Sequence, residues 1–125
     1  MPFPHIANTS LLVAAGFGLA ILASTAGRAY AASDFAGTWA ADLANCKAPQ
    51  SKANAPLIIT QRGYDQPEAH CTFKTLKSVG GNEWKGVAEC SVEGDNQAFD
   101  VDLIVSGNTL TLTEDGNPRD LLRCP

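Results

Sequence analysis

Beyond Pro56 the chain runs in short, alternating, β-rich stretches, each closed by Gly, Asn or Asp, and no stretch keeps a helical period. That pattern makes the protein all-β. It also carries an internal test, because residues directly opposite in an antiparallel pair share one face of the sheet. With Gly80-Gly81 as a two-residue turn, Cys71 faces Cys90, Phe73 faces Ala88 and Lys77 faces Trp84. With Asp95-Asn96 as the next turn, Val92 faces Phe99 and Cys90 faces Val101. Gly107-Asn108, a Gly-first pair suited to a type II′ turn, sets Val105 against Leu110 and Leu103 against Leu112. All three turns gather the apolar residues on the same side. Slipping the strand of Asp100 and Asp102 by one residue would bury both carboxylates unpaired, which fixes the parity.

The expected strands lie near 70–79, 82–92, 97–106 and 109–113. Phe35 to Ala40 reads as a first strand, Leu57 to Thr60 as a second and Asp120 to Cys124 as a last. An up-and-down antiparallel meander of about six to eight strands with one apolar face closes into a barrel or folds as a sandwich.

The chain of 125 residues divides into an address and one domain. Leu11 to Ala23 is an apolar run of signal-peptide length, well short of the roughly 20 residues of a spanning helix, and Ala29-Tyr30-Ala31 offers a small-x-small cleavage site. Residues 1–31 therefore read as a signal peptide and 32–125 as a single β domain of a periplasmic or extracellular protein. The leader departs from the usual pattern in having no Lys or Arg ahead of its apolar core.

All four cysteines, Cys46, Cys71, Cys90 and Cys124, fall in the exported part, and an even number in a small secreted chain predicts two disulfides. Wide spacing without a C-x-x-C knuckle disfavours zinc and thiol-redox chemistry. The register pairs Cys71 with Cys90 and leaves Cys46 beside the first strand to meet Cys124 at the end of the last. A strict count from Gly80-Gly81 puts Cys71 and Cys90 on a hydrogen-bonded pair, where side chains stand further apart, so this pairing requires a bulge or a different connectivity.

A formal net charge of −4 without a basic run excludes a nucleic-acid or anionic-membrane footprint, and no membrane insertion is expected once the leader is removed. His70, the one histidine of the domain, precedes Cys71 on the opposite parity and points outward; a catalytic role would need a carboxylate beside it in a cleft. With no nucleophile elbow and no histidine cluster, the expectation is a non-enzyme with no cofactor and no metal. Asp100 and Asp102, with Glu89 and Glu93, read as a solvated acidic face, and Glu114 to Pro118 as a turn. Two loops are candidate interaction surfaces. Asp42 to Pro56 carries Lys47 and Lys52 and is tethered by Cys46; Gln61 to Pro67 carries Arg62 and Tyr64, the latter either an exposed anchor or packed on a barrel rim.

Gly37-Thr38-Trp39 resembles the G-x-W opening of calycin-type barrels, which include lipocalins and small periplasmic inhibitors of secreted metalloproteases. Asn108 to Gly116 is similar to a strand and turn of the inhibitor group. The resemblance implies that Trp39 packs at a barrel end under an arginine of the last strand, Arg123 or else Arg119. The chain departs from those families in having four cysteines where the inhibitors carry two, and in being much shorter than a lipocalin, which leaves little room for a ligand cavity. The leading reading is a non-enzymatic binding module that meets a protein partner through its loops, with protease inhibition as its specific form. The alternative is a small-molecule carrier, and the third a structural envelope protein.

Overall fold

The computed structural model describes residues 34–125; the expected signal peptide lies outside them. Eight antiparallel strands close into a barrel in chain order: β1 (Gly37–Ala40), β2 (Leu57–Ile59), β3 (Gly63–Gln66), β4 (Ala69–Gly80), β5 (Glu83–Val92), β6 (Asp95–Ser106), β7 (Thr109–Glu114) and β8 (Asn117–Arg123). A short 3-10 turn, Leu43–Asn45, lies in the β1–β2 connection. Closure is made by β1 against β8, with Trp39 opposite Arg123 and Ala40 opposite Leu122. The ladder extends one step further, where Cys124 N donates to Thr38 O at 2.8 Å.

Period-2 alternation places the core. Leu103, Leu110 and Leu112 are fully buried, as are Cys90 and Ala88, and Cys71, Val101 and Val105 are buried beside them. Phe35 seals one end edge-on to Trp84, with ring centroids 5.0 Å apart, and to Phe73 at 6.2 Å. Every apolar residue that the three turns put inward is buried or half-buried and belongs to the core cluster or packs on it.

The turns themselves differ from the sequence reading in two of three cases. Gly107-Asn108 stands as expected, with Gly107 at φ 59° and Val105 opposite Leu110. The β5–β6 turn is Glu93-Gly94, at φ 50° and 88°, not Asp95-Asn96. Val92 therefore faces Asp95, and Phe99 faces Ala88. Asp95 and Asn96 extend β6 instead, and the displacement preserves parity, so the correct faces survived a wrong turn.

The β4–β5 turn is Gly81-Asn82, one residue later than expected. Two bulges then shift the register, between Phe73 and Thr75 and between Ser78 and Gly80. The bulges solve a conflict left by the regular ladder, which would have placed Lys77 inward opposite Trp84. An extra residue on β4 sets Leu76 opposite Gly86 and Ser78 opposite Trp84, and carries Lys77 out to face Lys85. Both expected disulfides are present, Cys71–Cys90 and Cys46–Cys124. Cys71 and Cys90 have Cα atoms 4.0 Å apart, the close approach of a non-hydrogen-bonded pair; moving the turn by one residue changes the phase of β5 and removes the earlier objection. Two bridges with no free cysteine suggest an oxidising, non-cytoplasmic environment.

A third correction concerns Gln61 to Pro67. It is not a loop: Gly63–Gln66 forms β3, paired with β2 on one side and β4 on the other. Likewise only Asp115-Gly116 turns between β7 and β8, and Asn117 and Pro118 already belong to β8.

Candidate functional site

The barrel interior is occupied by its own side chains. A cavity able to hold water would leave accessible surface on its walls, yet Trp39, Leu103, Leu110 and Leu112 show 0 %. At the seam, the Arg123 guanidinium lies 4.2 Å from the centroid of Trp39 and donates to Asp34 O at 2.9 Å. The indole Nε1 donates to Phe35 O at 2.9 Å. Arg119 stands elsewhere. It bonds Gln66 Oε1 and donates to Glu114 Oε1 at 3.1 Å, while Tyr64 donates its hydroxyl to Glu114 Oε2 at 3.3 Å.

Tyr64 is thus not an exposed anchor; it is 2 % exposed, pointing into the barrel from β3. Burial, reinforced by the Glu114 charge beside it, pushes its phenol well above the ordinary value of 10.0. Tyr64, Gln66, Glu114 and Arg119 close the barrel end opposite Phe35 with a hydrogen-bonded plug.

The Asp42 to Pro56 loop is more ordered than its composition suggests. Asp42 Oδ1 accepts from Ala44 N at 2.9 Å and caps the 3-10 turn. Asn54 donates to Asn45 Oδ1 at 2.9 Å, Gln50 Nε2 to Pro56 O at 2.8 Å, and the Cys46–Cys124 bridge fastens the segment to the end of β8. Leu43 stands 51 % exposed at its start, and Lys47 and Lys52 are exposed further on. Neither lysine makes an ion pair among the described residues, whereas Lys74 bonds Glu89 at 3.5 Å and Lys85 bonds Asp102 at 3.0 Å.

On the outer wall a groove of about 360 Å³ crosses β2, β3 and β4. Its floor is the bare backbone of Gly63, where a side chain cannot stand: a Cβ there would lie 1.9 Å from Cys71 O. Ile58 and Thr60 form one wall, His70 and Thr72 the other, and Arg62 lines the groove beside Gly63. The Arg62 backbone is fixed from both sides, its N–H donating to Thr60 Oγ1 at 3.2 Å and its carbonyl accepting from Phe73 N at 2.8 Å. Its side chain is exposed and without an ion pair among the described residues.

His70 is not alone on its strand. Asp65 stands opposite it on β3 and bonds its Nδ1, and Ser91 stands opposite on β5. The row of Asp65, His70 and Ser91 has the residue types of a proton relay, but the His70 side chain is 72 % exposed on an open wall. Both Asp65 and His70 line the Gly63 groove, and their exposure there leaves the attraction between them screened by solvent.

A second surface groove of about 350 Å³ runs over β5, β6 and β7 beside Lys85, Asp100, Asp102 and Thr113. The acidic face expected there is compensated in part, since Asp102 and Glu89 have lysine partners while Asp100 and Glu93 have none among the described residues. Lys85 reaches Asp102 and, at 3.4 Å, Glu83, and those two hydrogen bonds raise its pKa, Asp102 first. Asp115 Oδ1 accepts from Asp100 N at 2.7 Å. No cluster of three metal-ligating side chains occurs among the described residues.

The groove over Gly63 and the Asp65–His70 pair are the features that sequence reasoning missed. A signal was present, because Thr60 followed by Gly63 marks a tight ST turn, after which Tyr64 and Gln66 alternate with Asp65 as in a short strand. Comparison with protein families, with curated proteins and with solved structures finds no match for the chain.

Proposed function

We propose that this is a non-enzymatic, exported binding protein that meets a protein partner through the loop stapled by Cys46–Cys124. The observation that carries this reading is the pre-organisation of that loop. One disulfide and three side-chain hydrogen bonds hold it, yet Leu43 stands exposed, and Lys47 and Lys52 are exposed with no ion pair among the described residues. A segment ordered before binding loses less entropy on association, which is how short loops reach useful affinity. The filled interior speaks against a small-molecule carrier. Trp39 beneath Arg123 supports a calycin-type relationship, and with it protease inhibition as the specific form of binding.

The test is affinity capture from cell-envelope and culture fractions with the disulfide-intact protein, beside a Leu43→Asp/Lys47→Glu/Lys52→Glu variant. A partner held by the first and lost by the second supports the reading, and assay of captured proteases then checks inhibition. Equal recovery by both proteins, or a retained small molecule with no protein partner, overturns it.

A further inference from the structure

The charges of this chain are segregated along its sequence. From Leu43 to Tyr64 there are three cations, Lys47, Lys52 and Arg62, and no acid, so all 13 Asp and Glu lie outside this segment of a net-acidic protein. The structure makes the asymmetry physical. Lys74, Lys85 and Arg119 are engaged by Glu89, Asp102 and Glu114, and Arg123 by Trp39 and Asp34 O; outside the segment, Lys77 is the one cation among the described residues with no such partner. None of the three cations between Leu43 and Tyr64 has an acidic partner among the described residues. They therefore carry charge that the fold itself does not use.

The same segment leads into the Gly63 groove. The loop passes directly into β2, whose outward Ile58 and following Thr60 form a groove wall, and the chain then turns through Arg62. The groove joins the exposed side chain of Arg62 to hydroxyls on both walls and to the half-exposed aliphatic face of Ile58. One carboxylate, Asp65, also lines the groove, and it is bonded to His70.

We infer that the Gly63 groove and the basic segment leading into it dock an acidic polypeptide stretch, one of whose carboxylate side chains is bound by Arg62 in the groove. This rests on the proposed partner-binding function and deepens it by naming the partner's chemistry. A carboxylate would take charge-assisted hydrogen bonds from the guanidinium, with Thr60 and Thr72 able to donate from either wall. The methylenes of a glutamate would lie on Ile58, and Lys52 and Lys47, on the loop that precedes β2, would add longer-range attraction for neighbouring acids. Three unpaired cations spread over one stretch of chain match a series of carboxylates on another better than they match a single small anion.

The probe is a capped peptide of alternating Glu and Leu, titrated into the isotope-labelled, disulfide-intact protein and followed by amide chemical shifts. A Gln-and-Leu peptide and free glutarate serve as comparison arms. The expected result is a saturable shift centred on Gly63, Thr60 and Thr72, seen with the Glu peptide, absent with the Gln peptide and far weaker with glutarate. Arg62→Ala, an exposed turn position, should weaken binding about tenfold, and Lys47→Glu/Lys52→Glu by several-fold with added salt dependence. Equal shifts from the Gln peptide, binding indifferent to Arg62→Ala, or no saturable shift at Gly63 overturns the inference. Glutarate binding as tightly as the peptide also overturns it, in favour of a small-anion site. If capture through the stapled loop succeeds while Gly63 does not respond, this inference fails and the proposed function stands; if Gly63 responds while the loop variant captures normally, the loop-centred function fails, and with it the part of this inference that assigns Lys47 and Lys52, leaving the groove and Arg62.

Discussion

The two sides of the barrel are built on different principles. β4, β5 and β6 are long strands of 12, 10 and 12 residues joined by two-residue turns, and each hydrogen bond in that wall closes a short stretch of chain. β1, β2 and β3 have only 4, 3 and 4 residues, and β1 must find β8 from the other end of the sequence. Ladders that short cannot hold themselves. The seam side is supported by the Cys46–Cys124 bridge, by Arg123 on Trp39 and by the Tyr64–Glu114–Arg119 plug. It also carries Lys47, Lys52 and Arg62, none of them ion-paired among the described residues, with the stapled loop and the Gly63 groove. Short strands leave wall uncovered, and external fastening lets that surface stand exposed, where the proposed function would use it.

The largest difference between the sides should come from the staples. Removing Cys46–Cys124, which spans 78 residues, should cost about 4.5 kcal/mol by loop-entropy reasoning, against about 3 kcal/mol for the 19-residue Cys71–Cys90 loop. Denaturant unfolding of the two paired Cys→Ala variants measures both costs, and equal or reversed costs would break the comparison. Next, Trp39→Ala should lose ~3–5 kcal/mol and Leu103→Ala ~2–5 kcal/mol, because both are fully buried. The first should loosen the seam alone, as read by tryptic cleavage after Lys47 and Lys52.

Gly63→Ala forces a Cβ into the Cys71 carbonyl and should displace β3 from β4, a loss of ~2 kcal/mol or more visible in a thermal melt. Alkaline titration sharpens the picture at Tyr64. A phenol that titrates higher in the folded state than in the unfolded chain contributes stability below pH 10, which is lost as the pH climbs from 10.0 toward the folded value. Tyr64→Phe should therefore flatten the alkaline decline in melting temperature. At the small end, Leu43→Asp and Arg62→Ala should leave stability within ~0.5 kcal/mol of the parent. A larger loss would make those residues structural and remove them from the recognition surface.

The same contrast governs how much the sequence reveals. The wall of β4 to β7 announces its inner face from Cys71 to Leu112, since side-chain parity survives even when the β5–β6 turn is misplaced from Glu93-Gly94 to Asp95-Asn96. Bulges are harder to see, although Lys77 falling opposite Trp84 in the regular ladder was a symptom of one. The seam was less legible. β3 is four residues with Gly63 on its outer face and Tyr64 inward, too short a stretch to show a period, so it passed for a polar loop. The order of the stapled loop depends on side-chain bonds such as Gln50 to Pro56 O, which composition does not encode. The Asp65–His70 pair became visible only once β3 was known to be a strand.

Native-state hydrogen exchange of the Cys46→Ser/Cys124→Ser variant tests the division of the barrel most directly. The amides of β1, β2 and β3 should lose protection together by orders of magnitude while the centres of β4, β5 and β6 keep theirs. A uniform loss across all eight strands would show one indivisible barrel and contradict the account of a self-supporting wall and an externally fastened seam.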